Sequence, residues 1–249
     1  MSKYETFAAL HVPGTPLILF NVWDAGSAKI AERAGAKAIA TGSASVATAH
    51  GVSDAQALPL ELALANAERV VAAVDLPVSI DFEGGYAVDE NTLVSNLSAL
   101  AATGAMGCNF EDQVIGGTGM HAIEVQGARI AAARHGSGPD FFLNARTDIF
   151  LQAKPDRHDQ AKADAAIERA HAYAEAGASG FFVPGLADLD LLAKICAASP
   201  LPVNFMAFPG APDAKAVAAT GIARISHGPF PHLLALKAFE DAARKVFAG

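Results

Sequence analysis

Three short stretches set polar or charged side chains two residues apart: Asp81-Phe-Glu83, Asn109-Phe-Glu111-Asp112 and Asn144-Ala-Arg146-Thr-Asp148. On an extended strand, side chains two apart share a face. Asp81 and Glu83 are therefore expected to point the same way, with Glu111 approaching from a neighbouring strand. Three carboxylates gathered like this repel one another unless a cation sits among them. Hard oxygen donors that leave room for water suit Mg2+, with Mn2+ as a substitute, better than zinc. Arg146 offers a planar, two-pronged donor to a substrate carboxylate, and an ion pair with Glu111 or Asp148 is compatible with that role. Gly42-Ser43-Ala44 could present backbone N–H groups and a hydroxyl to another carboxylate, although small residues also serve simply to turn the chain. Such a set stabilises negative charge that develops on a small anionic acid.

The elements that must position these residues repeat. Short β-prone runs alternate with longer alanine-rich stretches of helical period, the pattern of parallel strands joined by helical crossovers. Strands are expected at 17–22, 38–41, 78–81, 106–110, 141–145, 180–183, 203–206 and 222–226, each followed by a helix. Ala34-Gly-Ala-Lys, Thr103-Gly-Ala-Met, Ala176-Gly-Ala-Ser and Thr220-Gly-Ile-Ala each place a glycine where a left-handed cap would end one helix and admit the next strand. Asp75-Leu-Pro-Val and Ser199-Pro-Leu-Pro-Val stop helices with proline. Eight such units in 249 residues, with no linker between them, predict a single (β/α)8 TIM barrel over residues 1–249. A doubly wound open sheet shows the same alternation, but no G-x-G-x-x-G follows the first strand.

In a barrel of this kind the active site lies at the carboxyl ends of the strands, and those ends are polar. Strand one ends in Asn21-Val-Trp23-Asp24, strand two in Gly42-Ser-Ala-Ser45, strand seven carries Asn204, and strand eight ends in Ser226-His227. Polar residues also begin ordinary loops, so the acidic residues on adjacent strands with Arg146 beside them carry more weight than any single end. His121 and His227 are the available proton carriers, since imidazole titrates near neutrality; a structural or solvated histidine is the commoner role for each.

Composition limits the partners. A formal charge of −8 and a pI near 5.4 leave no electrostatic footprint for nucleic acid. An anionic substrate is still admissible, because one arginine and a bound cation reverse the field inside a pocket. Cys108 and Cys196 lie far apart in apolar segments without metal-ligand spacing and read as buried thiols. The first residues lack the apolar core of a signal peptide and no apolar run approaches a membrane span, so a cytoplasmic protein is expected.

These residues resemble the isocitrate lyase and phosphoenolpyruvate mutase superfamily over nearly the whole chain. The resemblance rests on Asn21-Val-Trp23-Asp24-Ala, Thr41-Gly-Ser43-Ala44-Ser, His50-Gly-Val-Ser-Asp54, Asp81-Phe-Glu83-Gly-Gly-Tyr86, Asn109-Phe-Glu111-Asp112 and Asn144-Ala-Arg146-Thr, in order and spacing. It implies that Asp81 is the principal Mg2+ contact while Asp54, Glu83 and Glu111 hold metal-bound waters. It further implies that the backbone of Ser43 and Ala44, with Arg146 opposite, binds a pyruvate-like fragment over which Trp23 packs. Asn204, from strand seven, is a further candidate for the substrate site. A homo-oligomer is implied as well, a tetramer or a dimer, with the last helix from Pro231 to Phe247 on a neighbouring subunit. From the sequence that helix is only amphipathic, and its apolar face could equally close its own barrel.

The better-known branches of the superfamily carry a loop after strand four with a catalytic cysteine, or a lysine after the Glu-Asp pair. Here the stretch reads Glu111-Asp112-Gln113-Val-Ile-Gly-Gly-Thr-Gly-Met-His121, with neither. Its glycines suit a mobile lid or an ordinary flexible loop. The resulting expectation is a Mg2+-dependent lyase that cleaves a C–C bond of a small 2-hydroxy or 2-oxo acid through a pyruvate-like enolate. The alternatives are an oxaloacetate decarboxylase, phosphoenolpyruvate mutase or phosphonopyruvate hydrolase-like P–C chemistry, and a barrel that binds a metabolite without turnover.

Overall fold

The computed structural model describes residues 1–248. Helix α1 (Lys3–Ala9) precedes the first strand. The chain then runs β1 (Leu17–Leu19), α2 (Ala25–Arg33), β2 (Ile39–Ala40), α3 (Ser43–Ala49), α4 (Leu60–Ala73), β3 (Val78–Asp81), α5 (Glu90–Ala102), β4 (Gly107–Glu111) and α6 (Ile123–Ser137). It continues through β5 (Phe142–Arg146), α7 (Gln160–Glu175), β6 (Gly180–Phe182), α8 (Leu189–Ala198), β7 (Val203–Met206), α9 (Ala214–Ala219), β8 (Arg224–Ser226) and α10 (Phe230–Phe247).

All eight strands are parallel. The sheet runs β1-β8-β7-β6-β5-β4-β3-β2, and a parallel bridge between Val22 and Thr41 brings its two ends together. The bonds at the seam are Val22 N to Ala40 O at 2.8 Å and Gly42 N to Val22 O at 3.2 Å. The result is a (β/α)8 barrel. The four glycines expected to end helices, Gly35, Gly104, Gly177 and Gly221, all have φ between +86° and +101°, a region in which a side chain would clash with its own backbone.

Alternation along the strands divides two interiors. Ile80, Cys108, Phe110, Leu143, Ala145, Phe181, Val203, Phe205 and Ile225 face outward and are buried against the helices. Each large side chain of this layer contributes roughly 1.5–3 kcal/mol by leaving water. The inward positions of the middle layer are polar. Asn144 donates from Nδ2 to Asn109 Oδ1 at 2.9 Å and to Asn204 Oδ1 at 3.1 Å, and Arg224, 1% exposed, approaches Asn109 Oδ1 from Nη2 at 3.4 Å. Below them Phe7 of α1 packs with Leu17, Leu19, Ala38, Ala40 and Phe142 and closes the amino-terminal mouth. Ser2 and Glu5 hold α1 in place with a reciprocal capping box.

Three expectations change. Cys108 is buried, but Cys196 is only half-buried. Strand β3 ends at Asp81, so Glu83 lies in the turn beyond it with φ +50°, and period-two alternation does not govern its direction. Strands β4 and β5 run one residue further than expected and take Glu111 and Arg146 into the ladder as direct partners. Helix α10 buries only Pro231 and His232, leaving Leu233, Leu234, Leu236 and Phe239 exposed. Among the described residues no helix is long and apolar enough to cross a membrane.

Candidate active site

A cavity of about 160 Å3 opens at the carboxyl ends of the strands, and Asn21, Ser43, Ala44, Asp54, Asp81, Asn109 and Arg146 line its polar side. Asp81, the last residue of β3, is fixed from three directions. Its Oδ2 accepts from Ser43 N at 2.9 Å, its Oδ1 from Asn109 Nδ2 at 3.3 Å, and its own N–H donates to Thr41 Oγ1 at 3.0 Å. These bonds come from β2, the first turn of α3 and β4, so barrel closure itself places the carboxylate.

Arg146 stands opposite. Its Nη1 is 2.8 Å from Glu111 Oε2, while Nε and Nη2 meet the two oxygens of Asp148 at 2.6 and 3.0 Å. A guanidinium has five N–H donors; three are used, and one each on Nη1 and Nη2 is left for another partner. Both ion-pair partners anticipated for Arg146 are therefore engaged at once. Asp148 is held in turn through its N–H, which donates to Asp112 Oδ1 at 3.0 Å.

Glu83 accepts from Gln56 N at 2.7 Å and from Tyr86 Oη at 3.5 Å. With its side-chain amide oriented to satisfy both neighbours, Gln56 also accepts from Tyr86 N and Gly84 N. Ala55, Gln56, Glu83 and Tyr86 are the four non-glycine residues with positive φ among the described residues, and all lie in the two loops that carry Asp54 and Glu83. Such backbone costs of order 1–3 kcal/mol per residue and persists where the surroundings enforce it.

The carboxylates crowd one another. Burial, then the charges of Asp54 and Asp81, push Glu83 up to about 7. Burial and Asp81 raise Asp54. Burial also pushes Glu111 upward, opposed by Arg146, and Asp81 and Glu83 add to the rise. Among the described residues no three His, Cys, Asp or Glu side chains converge closely enough to enclose an ion directly. A hard cation held largely through water fits this donor set, since it relieves the repulsion without needing a tight cage.

The other side of the cavity is apolar, formed by Leu151, Phe182, Pro184 and Met206. Sequence reasoning missed this wall, because Phe182 and Met206 end strands that read as core and Leu151 and Pro184 lie in the loops after β5 and β6; it named Asn109, Asn144 and Asn204, but not that they bond to one another in one layer.

Ser43, Ala44, Asp54, Asp81 and Arg146 are thus brought together, with Glu111 and Glu83 directly behind them. Four other expected site residues lie elsewhere. Trp23 does not face the cavity: its ring packs 4.7 Å from His232 and lines a separate groove beside α10. Asn204 lies one layer below, donating to Phe205 O at 2.6 Å and Ser226 Oγ at 3.2 Å. His227 is anchored by Nδ1 to Leu19 O at 2.8 Å and by its N–H to Asn21 Oδ1 at 2.7 Å, its ring edge-on to Phe20, while its neighbours Ser226 and Gly228 line the cavity and it does not. His121 ends the stretch after β4 and lines a neighbouring cavity with Gln56, Tyr86 and Arg129, where burial and the cations Arg129 and Arg169 lower its pKa. That stretch is a small hairpin, with Gln113 bridged to Met120, Val114 N bonded to Gly119 O at 3.1 Å, and His121 N bonded to Asp112 O at 2.8 Å.

Comparison with known proteins gives a consistent picture. The family model described as phosphoenolpyruvate phosphomutase matches residues 7–247. An uncharacterized Mycobacterium tuberculosis protein is 32% identical over 98% of this chain and 90% of its own. The 2-methylisocitrate lyase of Escherichia coli is 29% identical over 99% of this chain and 83% of its own. A Burkholderia cenocepacia crystal structure, provisionally assigned as a phosphonomutase, is 45% identical with a TM-score of 0.94, covering 99% of this chain and 98% of that one. Phosphonopyruvate hydrolase, solved with oxalate and Mg2+, shares the fold at 21% identity with a TM-score of 0.85, over 100% of this chain and 89% of that one.

Proposed function

The chain belongs to the phosphoenolpyruvate phosphomutase family, within the isocitrate lyase and phosphoenolpyruvate mutase superfamily of enzymes, and from that footing we propose that it is a Mg2+-dependent lyase acting on a small 2-oxo or 2-hydroxy acid. It cleaves a C–C bond through a pyruvate-like enolate, and residues 1–249 work as one domain. The observation that carries this reading is the pairing across one cavity of a triply held carboxylate, Asp81, with Arg146, whose two remaining N–H groups are free to take a substrate.

Asp81 would hold the ion, with Asp54, Glu83 and Glu111 holding its waters; Mn2+ would substitute. When bound, the ion supplies positive charge where the 2-oxygen becomes negative. The protein's own groups do the rest. The backbone N–H of Ala44 and the free N–H groups of Arg146 bind and orient the acid from two sides, while the N–H of Ser43 holds Asp81 beside it. Glu111 and Asp148 keep the guanidinium planar to the cavity, so no reorganisation is needed as charge develops. The apolar wall excludes water from the face opposite the carboxylates. The E. coli relative's name describes a lyase, and the hydrolase of the same fold binds oxalate with Mg2+; both support the reading.

Oxalate, a planar mimic of an enolpyruvate, tests it. Calorimetric titration should show oxalate binding only with Mg2+ or Mn2+, weakened about a hundredfold by Arg146→Met and abolished by Asp81→Asn. Binding indifferent to the metal and to both substitutions would exclude the proposal.

We further propose that α10 packs on a second copy of the chain. Ile18 and Phe20, on the outer face of β1, are 46% and 53% exposed, where a barrel strand is ordinarily covered by a helix. A groove of about 360 Å3, lined by Phe20, Ile30, Pro231, Leu234 and Ala238, runs beside them.

A further inference from the structure

From the composition of the cavity wall we infer that the substrate is a 4-hydroxy-2-oxo acid with an uncharged tail, split by aldol cleavage into pyruvate and a small aldehyde. This rests on the proposed enolate chemistry and names its substrate class.

The charged groups that line the cavity are Asp54, Asp81 and Arg146. Arg146 is the lone cation among them, and Glu111 and Asp148 already balance it. Once the acid end of a substrate occupies the space between Ser43 and Arg146, its other end faces Leu151, Phe182, Pro184 and Met206. The hairpin from Gln113 to His121 carries no lysine or arginine that could reach over and pair with it. Lys154 and Arg157, on the loop that follows Leu151, are exposed and outside the lining, and Arg224 is sealed one layer below. A second carboxylate or a phosphonate would leave water for an apolar surface with no counter-charge, a penalty that excludes it in favour of an alkyl tail.

An uncharged tail restricts the bond that can break. Cleavage of a 2-hydroxy acid leaves the electron pair on the departing half, which needs its own carboxylate or carbonyl to hold it. Without one, the pair must stay on the acid half, so carbon two must be an oxo carbon. The bond between carbons three and four breaks and its pair becomes the enolate double bond. The hydroxyl on carbon four gives its proton to water at the cavity mouth as its oxygen becomes a carbonyl, and carbon three takes a proton back. The products are pyruvate and an aldehyde, with no oxidant, reductant or further reactant.

Two matched pairs test the inference on the full-length protein with Mg2+. In displacement of bound oxalate, 2-oxopentanoate should bind at least about tenfold tighter than 2-oxoglutarate, which has the same carbon chain with a carboxylate in place of the terminal methyl. Pyruvate release should favour 4-hydroxy-2-oxopentanoate over 4-hydroxy-2-oxoglutarate by a similar factor or more. Leu151→Arg, at the 44% exposed rim where folding is not at stake, should tighten 2-oxoglutarate about tenfold and weaken 2-oxopentanoate, reversing the preference between the two. Equal or tighter wild-type binding of 2-oxoglutarate while oxalate binds would overturn the tail assignment alone. Tail preference without pyruvate release from either hydroxy acid would overturn the aldol step. Failure of oxalate to bind would overturn both this inference and the site reading beneath it.

Discussion

At the scale of single residues, the site is built by compromise between charge and burial. Glu83 is 5% exposed, accepts a backbone bond from Gln56 and is crowded by Asp54 and Asp81. Its carboxyl is raised from 4.5 to about 7, so the folded protein holds this proton more tightly than the unfolded chain does. The metal-free protein should therefore be least burdened below pH 4.5 and lose stability as the pH climbs to 7, by up to about 3 kcal/mol, levelling off above that. Thermal melts of the metal-free protein across pH 5–8 check this; Glu83→Gln should flatten the decline, and Mg2+ should offset it in the wild type but less in the variant. A decline of equal size in Glu83→Gln would refute the assignment. The sequence made the acidic residues visible by type and spacing. It could not show the positive φ at Glu83 and Gln56, because that conformation is imposed by the loops around them and contradicts local preference.

At the scale of elements, the residues that hold the site belong to helices far from it in sequence. Asp112, fully buried at the end of β4, accepts from Asp148 N, from Tyr173 Oη at 2.8 Å and from Arg169 Nη1 at 3.0 Å, the last two on α7. Arg169 also donates to His121 O at 3.1 Å, so α7 ties the foot of the hairpin to the strand that bears Arg146's anchor. Asp112→Asn leaves the largely buried Arg169 without its counter-charge and should cost about 3–5 kcal/mol in urea unfolding. Tyr173→Phe removes one bond from the same carboxylate and should cost about 1 kcal/mol. Comparable losses from the two would show that the charge pair does not dominate. The eight strands and the glycine caps were legible because period and punctuation are local signals. Arg224 was not, since a polar residue pointing into a barrel lies in an apolar-looking run, and only closure of the sheet reveals which face is inward.

At the scale of the whole molecule, one barrel end is chemically loaded while one flank is bare. Trp23 shows how the two were confused in sequence: it follows a polar strand end, yet it turns toward α10 and His232 rather than the cavity. The exposed Ile18, Phe20, Leu234 and Phe239 predict an assembly. Light scattering at micromolar concentration should give a dimer or tetramer of the 25.5 kDa chain, and Phe239→Asp should shift it toward monomer; a wild-type monomer would refute packing through α10. The central claim, that this cavity stabilises a pyruvate-like enolate, is tested most directly by proton NMR of pyruvate in D2O. With the enzyme and Mg2+, the methyl signal should fade at least about a hundredfold faster than with Mg2+ alone, and Arg146→Met should remove most of that acceleration. No exchange above the enzyme-free rate, in protein that still binds oxalate, would contradict the account.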